Sequence, residues 1–358
     1  MNIENSIFIK NKKSKKKLLK NKSNSLNSFS PRVNKLLVSY TKKKPTHFYL
    51  CNNNLLKINI GDSNMPKCVN YNTQKAQQFL LNNLKSIKNI DCNIIIPPKQ
   101  YLANCWFNTF FVTFFISDKG RKFFKFFRQL MILGKKVNGE LIPKNLREAF
   151  FILNIAIESS YNPSLSNIAY IFNTNLLIQK IYQVINSKSN KSILSNIPIH
   201  IPNINEAGNP LDYYFTIISY LNANSINILP LFLNKTASND SIEKIIKDIN
   251  ITNKPDIIII EIIDNESKII NDKSRELNIF GVKYKLDSAI IRDTNQQHFC
   301  SLLTCNKNEY AFDGASYNRI IPMKWKNLLN KNETWKFKGH NLKWSFRNSY
   351  QILFYYRE

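Results

Sequence analysis

QYLANCWFNTFFVTFF, running from Gln100 to Phe115, is the stretch on which the reading of the whole chain turns. It follows the extended-looking run Ile94 to Lys99 (IIIPPK) and opens an apolar segment with helical potential. That order places Cys105 near a helix start. There a side chain meets the positive end of the helix dipole and its unpaired N–H groups, which lower a thiol's pKa toward the reactive thiolate. The same cysteine also fits a packing role, because free cysteine is among the most buried residue types. Taken alone the stretch favours packing, and the decision rests on residues far downstream.

The bulk composition narrows the choices. The 358 residues allow one large domain or two modest ones, and a 43% apolar fraction is ordinary for a folded chain. Lys+Arg 51 against Asp+Glu 24 gives a net charge of +27. Residues 1–44 hold 13 Lys or Arg against Glu4 alone, a local net of +12. This field favours acidic partners such as nucleic acid or anionic membrane surfaces. An AT-rich codon bias, visible in the abundance of Asn, Ile and Lys, supplies many of the lysines without any partner. Residues 1 to about 45 cannot bury enough apolar surface to fold alone. They read as a basic, flexible tail, either inert or a nuclear-localisation or nucleic-acid-binding segment.

Six cysteines, with no CxxC pair, read neither as a zinc ribbon nor as a disulfide scaffold. The N-terminal lysines precede no apolar block of signal-peptide length, and no apolar run reaches the roughly 18 residues of a membrane span. A reducing, intracellular setting and no transmembrane segment are therefore expected.

The rest of the chain divides by pattern. Strand-like pieces at 47–50 and 55–60 precede a helix at about 76–87. Three helices follow: one from Cys105 to about Ile116, one over 119–133, and one over about 143–159 that begins with Pro near its first position. The middle one carries Phe123, Phe124, Phe126 and Phe127. It reads as core in preference to a membrane-surface helix. Another helix spans 210–221. Beyond it, strands are expected at 226–233, 256–263, 280–291, 299–304, 309–312 and 350–356, with a short helix at 241–249. The expectation is an α+β fold: a helical lobe over about 76–222 carries the cysteine and faces a β-rich lobe over about 223–358, built as an antiparallel sheet.

A thiolate nucleophile needs an imidazole to take and return a proton, and the imidazole needs an orienting acceptor. Of the four histidines, His47, His200, His298 and His340, the context of His298 is distinctive. It stands at the entrance of the strand FCSLLT. The turn Cys305 to Asn308 leads into EYAF, which ends at Asp313-Gly314. In such a hairpin the start of one strand lies beside the end of the next, so His298 and Asp313 become neighbours. A surface histidine and an Asp-Gly turn are the ordinary alternatives.

Together these blocks resemble the papain-like cysteine peptidases, and among them the ubiquitin-specific protease branch. Asn104-Cys105-Trp106-Phe107-Asn108 is similar to that family's cysteine box. His298 followed by Tyr310-Ala311-Phe312-Asp313 is similar to its histidine box, and YQILFYY at 350–356 to its closing strand. Proteins of this look occur in large DNA viruses, which suits the composition. The resemblance spans roughly 99–356 and lies in three short blocks. It departs from the family at Ala103 and Gln297, where glycines are usual, and in lacking the CxxC pairs of a zinc-binding subdomain.

By position, the resemblance implies Cys105 as nucleophile, His298 as general base and acid, and Asp313 as the orienting residue. Gln100, five residues before the cysteine, would hold the developing oxyanion with the Cys105 N–H, and Asn104 competes for that role. It implies a hydrolase that cleaves an isopeptide or peptide bond and needs no metal or organic cofactor. The expected substrate is ubiquitin or a ubiquitin-like modifier, or else a viral polyprotein site, in a host cytoplasm or nucleus or packaged in a virion. Transglutaminase-like enzymes share the Cys-His-Asp order. The rival from another class is a basic structural or nucleic-acid-binding virion protein on an inactive peptidase fold, reached through residues 1–44.

Overall fold

Alternating apolar residues in the second half of the chain build one large sheet, and a wholly buried, largely apolar helix from the first half is laid across it. In the computed structural model, the described residues are 49–51, 54–61, 64–86, 90–162, 169, 172–186, 210–222, 227–233, 242–249, 253–263, 273–295 and 297–358. The basic tail, the first strand-like residues 47–48, His47 and His200 lie outside them.

The elements in chain order begin with a small antiparallel sheet, β1 (Tyr49–Cys51), β2 (Asn54–Asn59) and β3 (Cys68–Asn70). The helices α1 (Gln74–Ser86), α2 (Cys105–Phe115), α3 (Asp118–Phe123), α4 (Lys125–Leu133), α5 (Lys144–Tyr161), α6 (Thr174–Asn186) and α7 (Pro210–Asn222) follow. Then come β4 (Ile228–Leu233), α8 (Ile242–Asp248), β5 (Ile257–Ile262), β6 (Glu276–Ile279), β7 (Val282–Arg292), β8 (Phe299–Cys305), β9 (Asn308–Phe312), β10 (Ile321–Pro322) and β11 (Gln351–Arg357). None of the described helices is long and apolar enough to cross a membrane.

The main sheet runs β10-β9-β8-β7-β11-β5-β4, with β6 on β7. The C-terminal strand β11 is thus central, hydrogen-bonded to β7 on one side and β5 on the other. Its period-2 alternation serves two cores. Ile352, Phe354 and Tyr356 join the helices, while Leu353 and Tyr355 join the opposite layer with Trp325 and Trp344. The sheet is not wholly antiparallel, which corrects the expectation: β4 pairs parallel to β5. The cause is the intervening α8. A helical crossover returns the chain to the same end of the sheet before the second strand starts.

α2 is buried along its whole length, from Cys105 to Phe115. Eight of its eleven residues are apolar and spread around its circumference, so it is stable only when covered on every side, and its Asn108, Thr109 and Thr113 side chains find acceptors inside. Here the sheet covers one side and the other helices the rest. Phe110 stacks on Tyr214 of α7 at 4.4 Å and meets Phe354 of β11 edge-on. The expected single helix over 119–133 is instead two, broken at Phe124 (φ −77°, ψ 3°). Ser117 caps the first through Gly120 N–H at 3.2 Å, and the break aims successive phenylalanines inward. Phe123, Phe124, Phe126 and Phe127 are all core.

Helix α6 and strands β3 and β6 went unanticipated in the sequence. So did two disulfides, Cys51–Cys68 and Cys92–Cys305, whose Cα atoms lie 5.9 and 6.1 Å apart. Spacings of 17 and 213 residues carry no pairing signal, because only the folded chain brings the partners within bridging distance.

Candidate active site

Cys105 is the first residue of α2, so its backbone N–H has no intrahelical acceptor. The chain enters this helix through Leu102, an exposed leucine with φ 53°, a left-handed conformation that few non-glycine residues adopt. The segment ahead of the cysteine is held by three buried polar side chains. Asn104 Oδ1 accepts the Tyr101 N–H at 3.0 Å, and Asn104 Nδ2 donates to Thr174 Oγ1 at 2.8 Å. Thr174 donates in turn to Asn108 Oδ1 at 2.9 Å, and Asn108 Nδ2 reaches the Lys99 carbonyl at 3.2 Å. The asparagines on either side of the cysteine therefore tie the extended entry run to the start of α6.

The hairpin of β8 and β9 supplies the facing groups. Its turn residues Asn306 and Lys307 have φ 47° and 65°, the left-handed pair of a tight hairpin turn, and Ser301 pairs with Phe312. That register sets His298, just before β8, beside Asp313, just after β9. His298 Nε2 lies 2.5 Å from Asp313 Oδ1. Ser301 Oγ donates to the Thr109 carbonyl of α2 at 3.2 Å, which fixes β8 against the cysteine helix. With Nε2 committed to the carboxylate, the His298 imidazole also feels the neighbouring Cys105 side chain, which adds to the rise in its pKa. His298 and Asp313 are thus one hydrogen-bonded pair, with Cys105 near enough to affect the imidazole's charge.

Electrostatics follow from burial and these partners. Burial pulls the His298 imidazole down, but its bond to Asp313 and the neighbouring Cys105 outweigh that and push it up to about 10. Asp313 is fully buried, which raises its pKa. Its donors, His298 first, then Ser316 and His340, outweigh burial and hold it at about 2. The second free thiol, Cys300, lies wholly inside the sheet, and burial pushes it well up. Cysteine at that position is an inert core residue.

Of the two residues expected to serve an oxyanion, Asn104 has both ends of its carboxamide committed as above. Gln100 donates from Nε2 to the Leu102 carbonyl at 3.3 Å, and its buried Oε1 has no hydrogen-bond partner among the described residues.

Two polar residues of the site escaped the sequence reading. Ser316 Oγ donates to Asp313 Oδ2 at 2.6 Å, and His340 Nε2 lies 2.7 Å from the same oxygen. His340 comes from a loop 27 residues beyond the aspartate, and no periodicity connects the two. His298, Asp313 and His340 offer donor atoms within 4.8 Å of one another, the spacing of a metal site. The tautomer argues against one. Leu342 N–H donates to His340 Nδ1 at 3.3 Å, so the ring's proton sits on Nε2. A neutral histidine that bound metal through Nε2 would carry its proton on Nδ1, facing that N–H.

No protein-family model matches this sequence, and no curated protein matches it. Solved structures with a similar arrangement include an essential yeast splicing factor, at 13% identity and TM-score 0.43 over 75% of this chain and 72% of that one. A SAGA DUB module of Ubp8, Sgf11, Sus1 and Sgf73 bound to monoubiquitin is similar at 9% identity and TM-score 0.46, over 80% and 76%. The same module bound to ubiquitin aldehyde is similar at 9% and 0.43, over 76% and 71%.

Proposed function

We propose that this protein is a cysteine hydrolase that cleaves an isopeptide or peptide bond through an acyl-thioester on Cys105. The observation that carries the reading is a placement: a cysteine at the first position of a buried helix, near enough to the His298 imidazole to raise its pKa, with Nε2 of that ring held by a buried carboxylate. The groups perform the reaction in two steps. The Cys105 thiolate attacks the carbonyl carbon, and the oxyanion that forms is received by the Cys105 N–H and the Gln100 carboxamide. As the C–N bond breaks, the His298 imidazolium gives its proton to the leaving amine. His298, now neutral, takes a proton from water, whose oxygen attacks the thioester. The C–S bond breaks, releasing a carboxylic acid that ionises in water and restoring the Cys105 thiolate and His298 imidazolium. Asp313 keeps the imidazole in the tautomer and orientation both steps need.

Ubiquitin or a ubiquitin-like modifier is the proposed substrate, on the resemblance of the blocks at Cys105, His298–Asp313 and Tyr350–Tyr356 to ubiquitin-specific proteases. The test is labelling of the full chain by ubiquitin bearing a C-terminal electrophile. A Cys105 adduct, lost in Cys105→Ala with the melting temperature unchanged, is expected. A folded wild-type chain without the adduct rules out the ubiquitin substrate, and a Cys105 that also ignores small thiol reagents rules out the hydrolase.

A further inference from the structure

Asp313 receives four donors, one more imidazole than a Cys-His-Asp arrangement requires. Oδ1 accepts His298 Nε2 at 2.5 Å and the Ala315 N–H at 3.0 Å. Oδ2 accepts Ser316 Oγ at 2.6 Å and His340 Nε2 at 2.7 Å. The carboxylate is wholly buried, so every lone pair that loses its donor lies in a medium where water cannot replace it. A carboxylate is also a broad, nearly two-fold rotor about its last bond. Donors on both oxygens fix that rotation, and on Oδ2 the rigid imidazole of His340 shares the task with the rotatable Ser316 hydroxyl.

We infer that His340 is a positioning residue of the hydrolytic site, locking the Asp313 carboxylate so that Oδ1 stays aimed at His298. The inference rests on the hydrolase reading of Cys105. Three observations give His340 this role in preference to others. Its tautomer is set by the Leu342 N–H on Nδ1, which leaves Nε2–H as a fixed donor toward Asp313. Its ring lies against Trp344 at 5.3 Å. The same indole faces His298 at 6.2 Å, so one buried wall seats both imidazoles. The polar contacts of His340 Nε2 go to Asp313 and Ser316, and the imidazole whose charge Cys105 influences is that of His298, so His340 acts on the site through Asp313. Ser316, bonded to both Asp313 and His340 at 2.6 and 2.9 Å, closes the network on its outer side.

The experiment compares the full-length wild type with His340→Leu, which keeps bulk and loses the donor, and His340→Gln, whose amide can return an N–H to Oδ2. Iodoacetamide alkylation of Cys105 is followed by peptide mapping across pH, with a thermal melt of each protein. Mapping separates Cys105 from the buried Cys300. Loss of one bond to a charged group predicts that His340→Leu slows alkylation at neutral pH about 10-fold. The acid limb of its pH profile shifts upward, and His340→Gln recovers to within about 3-fold of wild type. On a turned-over substrate the loss falls on kcat and spares KM. A folded His340→Leu with the wild-type rate and profile overturns the inference alone. Equal impairment of both variants also overturns it, since packing would then explain the effect. A wild-type Cys105 no faster than a simple peptide thiol overturns the inference and the hydrolase reading together.

Discussion

Gln100 and Gly314 are in direct backbone contact. The Gln100 N–H donates to the Gly314 carbonyl at 3.4 Å, and a Cβ on Gly314 would stand 3.2 Å from the Gln100 Cβ and 3.3 Å from its nitrogen. The loop that leads to Cys105 is therefore seated on the turn that follows Asp313. The two halves of the site share one joint, although 214 positions separate the residues that form it.

Gly314→Ala tests that joint. The added methyl is tighter than ordinary contact and displaces Gln100 by a few tenths of an ångström. Because the native φ suits alanine, the fold should lose little, within about 1 kcal/mol. Turnover should fall roughly 3- to 10-fold through a misplaced oxyanion donor. Steady-state kinetics beside a melting curve decide the matter: unchanged kcat, or a stability loss as large as the rate loss, rules out the mechanical link.

Gln100→Ala and Asn104→Ala separate the two oxyanion candidates by opposite signatures. Removing Gln100 should cost about 10²-fold in kcat and almost nothing in stability. Asn104→Ala takes the Asn104 acceptor from the Tyr101 N–H and one of two partners from the buried Thr174 Oγ1, at about 1–2 kcal/mol. Its principal effect should appear in denaturant midpoint. A large kcat loss in a fully stable Asn104→Ala protein would reverse the assignment.

Much of this site was readable because its pieces are local. The helix start at Cys105 follows from a Pro-Pro run giving way to an apolar one. The meeting of His298 with Asp313 follows from a hairpin whose strands and turn are all written in consecutive residues. The closing strand at 350–356 declared itself by composition, and its central place between β7 and β5 did not. What stayed hidden depends on distant loops docking. His340 and Ser316 have no pattern until the loop carrying His340 folds over Trp344, and Thr174 begins a helix that the sequence did not mark. The parallel β4–β5 pair was within reach of the sequence, since a helix between two strands already implies a crossover.

Asp313→Asn should change both reactivity and the pH dependence of stability. In the folded chain burial lowers His298, while Asp313 and Cys105 raise it to about 10, above the unfolded value near 6.5. A raised base stabilises the fold fully below the unfolded pKa, and that contribution is lost as pH rises through about 10. Wild-type stability should therefore decline from neutral toward strongly alkaline pH. Asp313→Asn should flatten the decline and lower kcat about 10³- to 10⁴-fold by releasing the tautomer and charge of His298. Urea midpoints taken across this range give the slope. A variant with the wild-type slope would show that Asp313 does not set the imidazole's charge.

Asp287 provides a test of the joint between sheet and helices, away from the reacting groups. It sits on β7, and its Oδ2 accepts the Lys119 N–H at 3.2 Å and the Gly120 N–H at 3.4 Å, at the start of α3. Burial raises its carboxyl to about 6. The Ser117 hydroxyl, Lys326 and the Lys119 N–H pull the other way, and Asp118 adds to the rise. Its unfolded value is near 3.8, so between about 4 and 6 the native state binds more protons than the unfolded one. Stability then falls as pH rises through that window, and the whole penalty, on the order of 3 kcal/mol, persists above it. Asp287→Asn keeps an oxygen for the two N–H groups and removes the titration. It should raise stability at neutral pH by about 1–2 kcal/mol and abolish the slope contributed between pH ~4 and ~6. Paired unfolding curves at the two ends of the window measure this directly. An asparagine variant less stable than wild type at neutral pH would mean that the ionised carboxylate is stabilised by its donors more than burial penalises it.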